Sequence, residues 1–150
     1  MESNTKYQTF TELAVWQEAS KFQLFIFDLS KSFPVEEKFR LSDQIIRASR
    51  SIASNIAEGH GRYHYQEQIR FCRESRGSLS ETLNHIYTAL DCNYITNEQV
   101  KDIEQMCQLL LKLLNGYIAY LKKQKLNQPI LSNQQNQHNY SINLISHSTQ

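Results

Sequence analysis

The stretch Ser51-Ile52-Ala53-Ser54-Asn55-Ile56-Ala57-Glu58-Gly59-His60-Gly61-Arg62 decides the fold of this chain. It lies within a helical pattern, yet it consists almost entirely of small residues and compact polar ones. Small side chains at helical spacing allow another helix to approach closely, and polar groups carried into that contact need hydrogen-bond partners. The glycines Gly59 and Gly61 then favour a close helix crossing or the end of the helix. The stretch therefore predicts helix packing or assembly rather than a catalytic loop.

The composition is that of a globular domain without a strong overall charge. The chain has 150 residues, of which 40% are hydrophobic and 21% charged, and this length is enough for one domain with a hydrophobic core. Only 4 glycines and 2 prolines occur, which disfavours an all-β fold with many tight turns. The net charge of +1 provides no overall attraction to nucleic acid or to an anionic membrane.

The cysteines and the apolar runs indicate the cellular setting. Cys72, Cys92 and Cys107 are widely spaced, form no zinc-binding pattern with the histidines, and fall among apolar neighbours, so we expect buried free thiols. The first residues lack the apolar core of a signal peptide, and no apolar run approaches the roughly 18 residues of a membrane span. We therefore expect a cytoplasmic protein that needs no membrane, metal ion or cofactor.

Steps of three and four between apolar residues predict four helices. They run from Phe10 to Phe33, from about Arg40 to Glu58, from about Tyr65 to Asp91, and from a capping box at 96–99 to about Lys125. Short connections between four such helices predict an all-α fold, an antiparallel up-down-up-down four-helix bundle. The first helix carries extra apolar residues outside its main stripe, Leu24 and Phe25 among them, which indicates a surface for a partner.

The chain divides into three parts. Residues 1–8 are expected to be frayed, and residues 9–126 form the predicted bundle. Residues 127–150 form a low-complexity tail, in which ten of 24 residues are Asn or Gln and none is Asp, Glu, Lys or Arg. A tail of this composition is predicted to be disordered.

One residue of the third helix interrupts its apolar seam. Arg76 occupies a seam position, with Gly77 beside it in mid-helix, where an interior glycine costs about 1 kcal/mol relative to alanine. We therefore predict a close helix crossing at Gly77. Because a buried arginine needs an acidic partner, we further hypothesise a buried polar network between the second and third helices, consisting of Ser54, Asn55, Glu58 and Arg76.

The arginines are unevenly distributed along the chain. All seven lie between Arg40 and Arg76, where the four acidic residues leave a local charge of +3. Tyrosines flank the turn near Arg62, and arginine beside aromatic rings is suited to stacking on bases and holding phosphates. The candidate nucleic-acid contacts are Arg40, Arg47, Arg50, Arg62, Arg70 and Arg73, with Lys122, Lys123 and Lys125 as a second patch. The alternative is that the arginines pair with acidic residues within and between subunits.

A catalytic role has less support. Glu58, His60, His64 and Glu67 cluster around the turn between the second and third helices, as groups for acid-base or metal chemistry do. Their spacing matches no known metal-ligand motif, and the chain has no phosphate-binding glycine loop and no nucleophile elbow. We therefore assign no catalytic and no metal-binding residue, and we predict a protein that is not an enzyme.

Several segments resemble the bacterial four helix bundle protein family, first noticed as reading frames inside 23S ribosomal RNA intervening sequences. The resemblance covers roughly residues 9–125, and it is carried by the segments 10–19, 33–34, 41–48, 51–62, 77–79 and 94–95. It implies an antiparallel bundle that assembles into a ring, commonly a homopentamer. Segments 63–67 and 73–78 are similar to a related branch, the accessory proteins of diversity-generating retroelements, whose pentamer partners a reverse transcriptase and binds nucleic acid.

The functional expectation is a ring-forming, non-enzymatic assembly or accessory factor that binds nucleic acid, a reverse transcriptase, or both. The alternative is a purely structural oligomer of the intervening-sequence type that does not bind nucleic acid. Solvent-facing arginines would favour the first hypothesis, whereas buried ion pairs would favour the second.

Overall fold

The computed structural model describes residues 9–128 and confirms the all-α fold. A short 3-10 turn at Phe10–Glu12 precedes helix α1 (Ala14–Ser30), and a second turn at Val35–Glu37 precedes α2. The remaining helices are α2 (Leu41–His60), α3 (Tyr65–Asp91) and α4 (Asn97–Leu126). The predicted frayed segment 1–8 and positions 129–150 of the predicted tail lie outside the described residues.

The four helices form a square, antiparallel bundle. The backbone of each helix lies close to those of its neighbours in the chain, and α1 also lies close to α4, whereas within the described part no Cα atoms of α1 and α3, or of α2 and α4, approach within 8 Å. The diagonal pairs are therefore α1 with α3 and α2 with α4, which is the predicted up-down-up-down arrangement. The contact between α2 and α3 is the most extensive, and that between α1 and α4 is the sparsest.

The core has two parts of unequal size. The main cluster contains large side chains from all four helices, including Phe22, Ile45, Ile86 and Leu110, each of them almost fully buried. A smaller cluster lies between α3 and α4 near the α2–α3 turn, and it consists of Ile69, Cys72, Ile118 and Leu121. Tyr117 packs against both clusters and so connects them.

Two helix ends follow the predicted sequence signals, whereas the start of the first helix does not. Thr96 accepts a hydrogen bond from the Gln99 amide and Gln99 caps the Thr96 amide in return, which confirms the predicted capping box. Gly61 ends α2 as predicted. The first helix is shorter than predicted, because Leu13 is extended (φ −74°, ψ 123°) and separates a short turn from α1.

Small residues make the α2–α3 contact close, as the opening stretch predicts. Ser75 is fully buried on α3, and its hydroxyl donates to the backbone oxygen of Ile52 on α2 at 2.9 Å. One turn further on, the hydroxyls of Ser78 and Ser51 are 2.9 Å apart. These contacts tie one helix to the backbone and side chains of the other, so they fix how the two helices align along their length.

Gly59 lies inside the same contact. A Cβ atom at Gly59 would lie 2.8 Å from the Cβ atom of Phe71 on α3, a separation shorter than real side-chain contacts. The predicted close crossing at Gly59 is therefore confirmed. The same prediction for Gly77 is wrong, because Gly77 is exposed and a Cβ atom there would have no neighbour within 4 Å among the described residues.

The predicted polar network of Ser54, Asn55, Glu58 and Arg76 does not form within the described chain. Arg76 is exposed, and its guanidinium donates to the side-chain oxygen of Asn115 on α4 at 3.0 Å. The residue that points inward is the neighbouring Ser75 and not Arg76, because the close α2–α3 contact has room only for a small side chain. Arg76 therefore needs no buried acid.

The α2 members of that predicted network have other surroundings. Ser54 faces solvent, and Glu58 is exposed and paired at 2.8 Å with Arg62, which lies in the turn after α2. Asn55 donates to the backbone and side-chain oxygens of Ser51 at 2.9 and 3.1 Å. The polar groups that lock α2 to α3 are instead the hydroxyls of Ser51, Ser75 and Ser78, since a hydroxyl fits a close helix contact and a long charged chain does not.

Two of the three cysteines are buried as predicted. Burial raises the pKa of Cys72 to about 11, and burial together with the nearby Glu104 carboxylate raises the pKa of Cys107 to about 12. The prediction is wrong for Cys92, which is exposed because it follows the last residue of α3 at the turn into α4.

Candidate nucleic-acid interface

All seven arginines of the chain are exposed. On α2, the Arg47 guanidinium pairs with Asp43 at 3.4 Å, and the Arg50 guanidinium lies 5.5 Å from the centre of the Phe27 ring. Arg40 precedes the first turn of α2 and is also exposed. Because α2 lies diagonally across from α4, the outer face of α2 points away from the lysines of α4.

The arginines beside the α2–α3 turn are partly neutralised. Arg62 pairs with Glu58 at 2.8 Å, and Arg70 pairs with Glu67 at 3.0 Å. The hydrogen bond from Arg70 holds the pKa of Glu67 below its ordinary value. Both guanidinium groups also lie over the Phe71 ring, at 5.2 and 4.5 Å from its centre, so Phe71 and the carboxylates fix their orientation.

A cationic groove lies between α3 and α4 near the same turn. It has a volume of about 310 Å³, and its lining consists of Gln66, Ile69, Arg73, Lys122, Lys125 and Leu126. Three of these six side chains are cationic and none is acidic. The Lys125 ammonium donates to the Gln66 side chain at 2.8 Å, which links the two helices across the groove.

The α4 side of this groove is free of negative charge. The chain contains no Asp or Glu after Glu104, so the second half of α4 carries only positive charges. The lysines of its last turn also complement the negative end of the helix dipole. Three of the predicted cationic side chains, from two helices, thus line the same groove, so all three can attract one anionic ligand.

The structure brings together only part of the predicted set. Arg73, Lys122 and Lys125 line one groove, whereas Lys123 is exposed outside it. Arg62 and Arg70 lie at the same end of the bundle, each beside its own carboxylate. The remaining arginines, Arg40, Arg47 and Arg50, belong to the separate α2 face.

Sequence reasoning missed an aromatic cavity at this end of the bundle. It has a volume of about 360 Å³, and its lining consists of Leu13, His60, Tyr65, Gln68, Tyr117, Tyr120 and Leu121. The rings of Tyr117 and Tyr120 are nearly parallel, with their centres 6.2 Å apart and their planes inclined by 13°. The sequence shows Tyr65 near the start of the third helix and Tyr117 and Tyr120 near the end of the fourth. That they meet follows only from the antiparallel alignment of α3 with α4.

Apolar side chains remain exposed on two flanks of the bundle. Leu24 and Phe25 of α1 are 59% and 39% exposed, in agreement with the extra apolar width expected of the first helix. A second surface is a groove of about 320 Å³ between α3 and α4, lined by Leu83, Tyr87 and Leu111 among others. Both flanks are suited to contact with another protein surface.

The turn residues considered for catalysis are not assembled into a reactive centre in the described part of the chain. Glu58 and Glu67 each pair with an arginine, while the His64 ring lies against the ring of the exposed Tyr63. Among residues 9–128, no group of three His, Cys, Asp or Glu side chains is placed to hold a metal ion. No helix in this range combines the length and the apolar character needed to cross a bilayer.

Comparisons with known proteins agree with this architecture. The family model for the 23S rRNA-intervening sequence protein matches residues 11–116. Among solved structures, the chain is similar to a protein with unknown function from the S23 ribosomal protein family of Bacteroides thetaiotaomicron VPI-5482. The two share 28% identity with a TM-score of 0.65, over 70% of this chain and 95% of the other. None of the curated proteins matches the chain.

Proposed function

Because this chain belongs to the 23S rRNA-intervening sequence protein family, we propose that it is a non-enzymatic, ring-forming bundle that binds RNA or DNA as an accessory factor. The observation that carries the proposal is the cationic groove of Arg73, Lys122 and Lys125. Phosphate groups are the ligands that such a cluster of cations attracts most strongly.

The exposure of the arginines on the single protomer leaves them accessible to phosphates. A scaffold that uses its arginines for contacts within one protomer would bury them with acids, but all seven arginines are exposed there. In the groove, the nearest polar neighbour of Lys125 is the neutral Gln66, so the positive charge there is not cancelled by a carboxylate among the lining residues.

Self-assembly would strengthen a binding site that is weak in one copy. Three cations per protomer give modest affinity, whereas a ring of copies presents several such grooves to one strand and raises the affinity through multivalency. The exposed Leu24 and Phe25 and the apolar α3–α4 groove provide surfaces for contact between copies. The pentamer expected from the family resemblance is part of this proposal, and sedimentation equilibrium measures the number of copies.

The proposal is tested by the salt dependence of binding to a labelled single-stranded RNA. Three phosphate contacts in one groove give a slope of about −2 in a plot of log affinity against log salt concentration, and each further groove that the same strand occupies adds about −2. Affinity should then fall by at least roughly 15-fold between 50 and 200 mM salt. Fluorescence anisotropy measures this directly, and a response to salt that is flat would refute the proposal.

Charge reversal in the groove locates the site. The double substitution Lys122→Glu and Lys125→Glu should abolish the salt-dependent binding. A matched control, Lys21→Glu with Lys101→Glu, changes the net charge by the same amount at exposed lysines that do not line the groove. If the control weakens binding as much as the groove variant does, the attraction is a general charge effect and the groove is not the site.

A second candidate function is that of a structural oligomer without nucleic-acid binding. The ion pairs of Arg47, Arg62 and Arg70 with acids three or four residues away favour it, because paired arginines are less available to phosphates. In that case the ring forms, but no RNA or DNA binds even at low salt.

The proposal extends to a reverse transcriptase as the protein partner, on the resemblance of segments 63–67 and 73–78 to retroelement accessory proteins. Co-purification with a reverse transcriptase encoded next to this chain would support it. A gene position inside a ribosomal RNA intervening sequence, with no such enzyme nearby, would contradict it.

A further inference from the structure

The aromatic cavity at the end of the bundle carries an inference that rests on the proposed function. We propose that this cavity takes a nucleobase of a single-stranded nucleic acid whose phosphates lie in the cationic groove. The inference thus names the strandedness of the ligand and a second contact site, neither of which follows from the cations alone.

The first argument is the lining of the cavity. Its volume of about 360 Å³ lies in the range of small-molecule pockets, roughly 300–1,000 Å³. Three tyrosines contribute to the wall, and Tyr117 and Tyr120 present nearly parallel rings with centres 6.2 Å apart. Flat aromatic walls of this kind bind planar ring systems by stacking, and every nucleobase offers such a planar face.

The second argument is the polar groups that reach the cavity. His60 and Gln68 line it, and the Gln68 amide already donates to the backbone oxygen of Arg62 at 3.1 Å. The Gln68 side chain is thereby held in place, with its own oxygen left as an acceptor. The Tyr117 hydroxyl is protonated at neutral pH, like that of any tyrosine, and is a donor; burial raises its pKa further, to about 12. A nucleobase edge carries both donors and acceptors.

The third argument is the position of the cavity beside the groove. Tyr65 and Gln68 line the cavity, while Gln66 and Ile69 of the same helix turn line the groove. On α4, Leu121 lines the cavity and Lys122 lines the groove. The two openings thus flank one contact between α3 and α4, so a strand that passes over the end of the bundle reaches both.

This arrangement favours a single strand over a duplex. The bases of a duplex are stacked and paired, so they cannot enter a cavity without being extruded. A single strand exposes its bases, and its phosphates still reach Arg73, Lys122 and Lys125. Strand binding by cations alone would show no such preference for accessible bases.

The experiment compares two strands on the full-length protein by fluorescence anisotropy. One probe is a labelled 12-nucleotide oligodeoxyadenylate, and the other is an abasic strand of the same length and charge. The strand with bases should bind about tenfold more tightly, since stacking one base contributes that much. Equal affinity of the two strands would overturn the nucleobase site while leaving the proposed function intact. Failure of both strands and of the labelled single-stranded RNA to bind would overturn the proposed function as well.

Variants then assign the preference to the cavity. Tyr120 is 55% exposed, so Tyr120→Ala should fold, and it should remove the advantage of the strand with bases. Tyr120→Phe retains the ring and should keep that advantage. The matched control is Phe39→Ala, because Phe39 is an exposed aromatic residue that lines neither the cavity nor either α3–α4 groove. Loss of the preference in the Phe39 variant, or its survival in Tyr120→Ala, would overturn the assignment.

Free adenosine monophosphate separates a strand from a small-molecule ligand. A strand held by one base and several phosphates should stay bound when the mononucleotide is added at the same nucleotide concentration. Full displacement under that condition would assign the cavity to free nucleotides and overturn the strand proposal.

Discussion

Replacing Gly59 and Gly77 with alanine, one at a time, adds the same methyl group to two helical glycines with opposite surroundings. At Gly59 the new Cβ atom would lie 2.8 Å from the Cβ atom of Phe71 and 3.4 Å from the backbone oxygen of Gln68. At Gly77 it would have no neighbour within 4 Å outside its own helix in the described chain. The pair therefore measures the closeness of the α2–α3 contact against an internal reference.

The magnitudes follow from two opposing effects. Alanine is favoured over glycine in a helix interior by about 1 kcal/mol, and this gain applies in full at Gly77 in the middle of α3 and only in part at Gly59, the second-last residue of α2. Overpacking costs roughly 1–3 kcal/mol, and it applies only at Gly59, where the neighbours belong to or adjoin the backbone of α3 and cannot swing aside. Gly77→Ala should therefore raise the free energy of unfolding by about 1 kcal/mol, and Gly59→Ala should lie about 1–3 kcal/mol below it.

Urea denaturation at one fixed protomer concentration measures both values, since the stability of an oligomer depends on concentration. If Gly59→Ala stabilises the protein as much as Gly77→Ala does, α2 and α3 are not in close contact at this point. If Gly77→Ala destabilises the protein, a surface covers Gly77 and the assumption of open space around it is wrong.

Three further outcomes test the polar contacts and the thiols. Ser75→Ala should lower the free energy of unfolding by about 1 kcal/mol, because it removes the hydrogen bond to Ile52; a change under about 0.3 kcal/mol in urea denaturation would show that this bond contributes little. Glu58→Ala should cost less than about 1 kcal/mol, as expected for an exposed ion pair with Arg62. A loss of about 3 kcal/mol would instead indicate that Glu58 belongs to a buried polar network, and it would contradict the exposed position of Glu58 in the structure. At neutral pH a thiol reagent should label Cys92 rapidly and the two buried cysteines only after unfolding, and rapid labelling of all three would contradict their burial.

The helix bounds could be predicted well from the sequence, because apolar periodicity and capping residues depend only on neighbouring positions. The predicted bounds of the third helix, Tyr65 and Asp91, coincide with those of α3, and the capping box placed the start of α4. The seam of α3 was less accurate at Arg76, because apolar periodicity does not register buried serines. Ser75 and Ser78 face α2 in its place, which only the close approach of the two helices explains.

The candidate site was predicted less completely because it depends on the pairing of helices. The skewed distribution of arginines identified the cations, but the sequence does not show that Arg73 and Lys122 share a groove while Arg47 lies on the α2 face. The link between Gln66 and Lys125 joins residues 59 positions apart. Such a pairing follows from the alignment of α3 with α4, and that alignment is a property of the whole bundle.

The division of the core into two clusters has a consequence for the end that carries the groove and the cavity. Only four buried side chains hold α3 to α4 there, and Tyr117 connects them to the main cluster. A region with so small an apolar core can unfold locally while the rest of the molecule stays folded. Backbone amide hydrogens at this end should then exchange with heavy water sooner than those near Ile86. A ligand that binds against Tyr117 would slow that exchange, because binding stabilises the closed state of this end of the bundle.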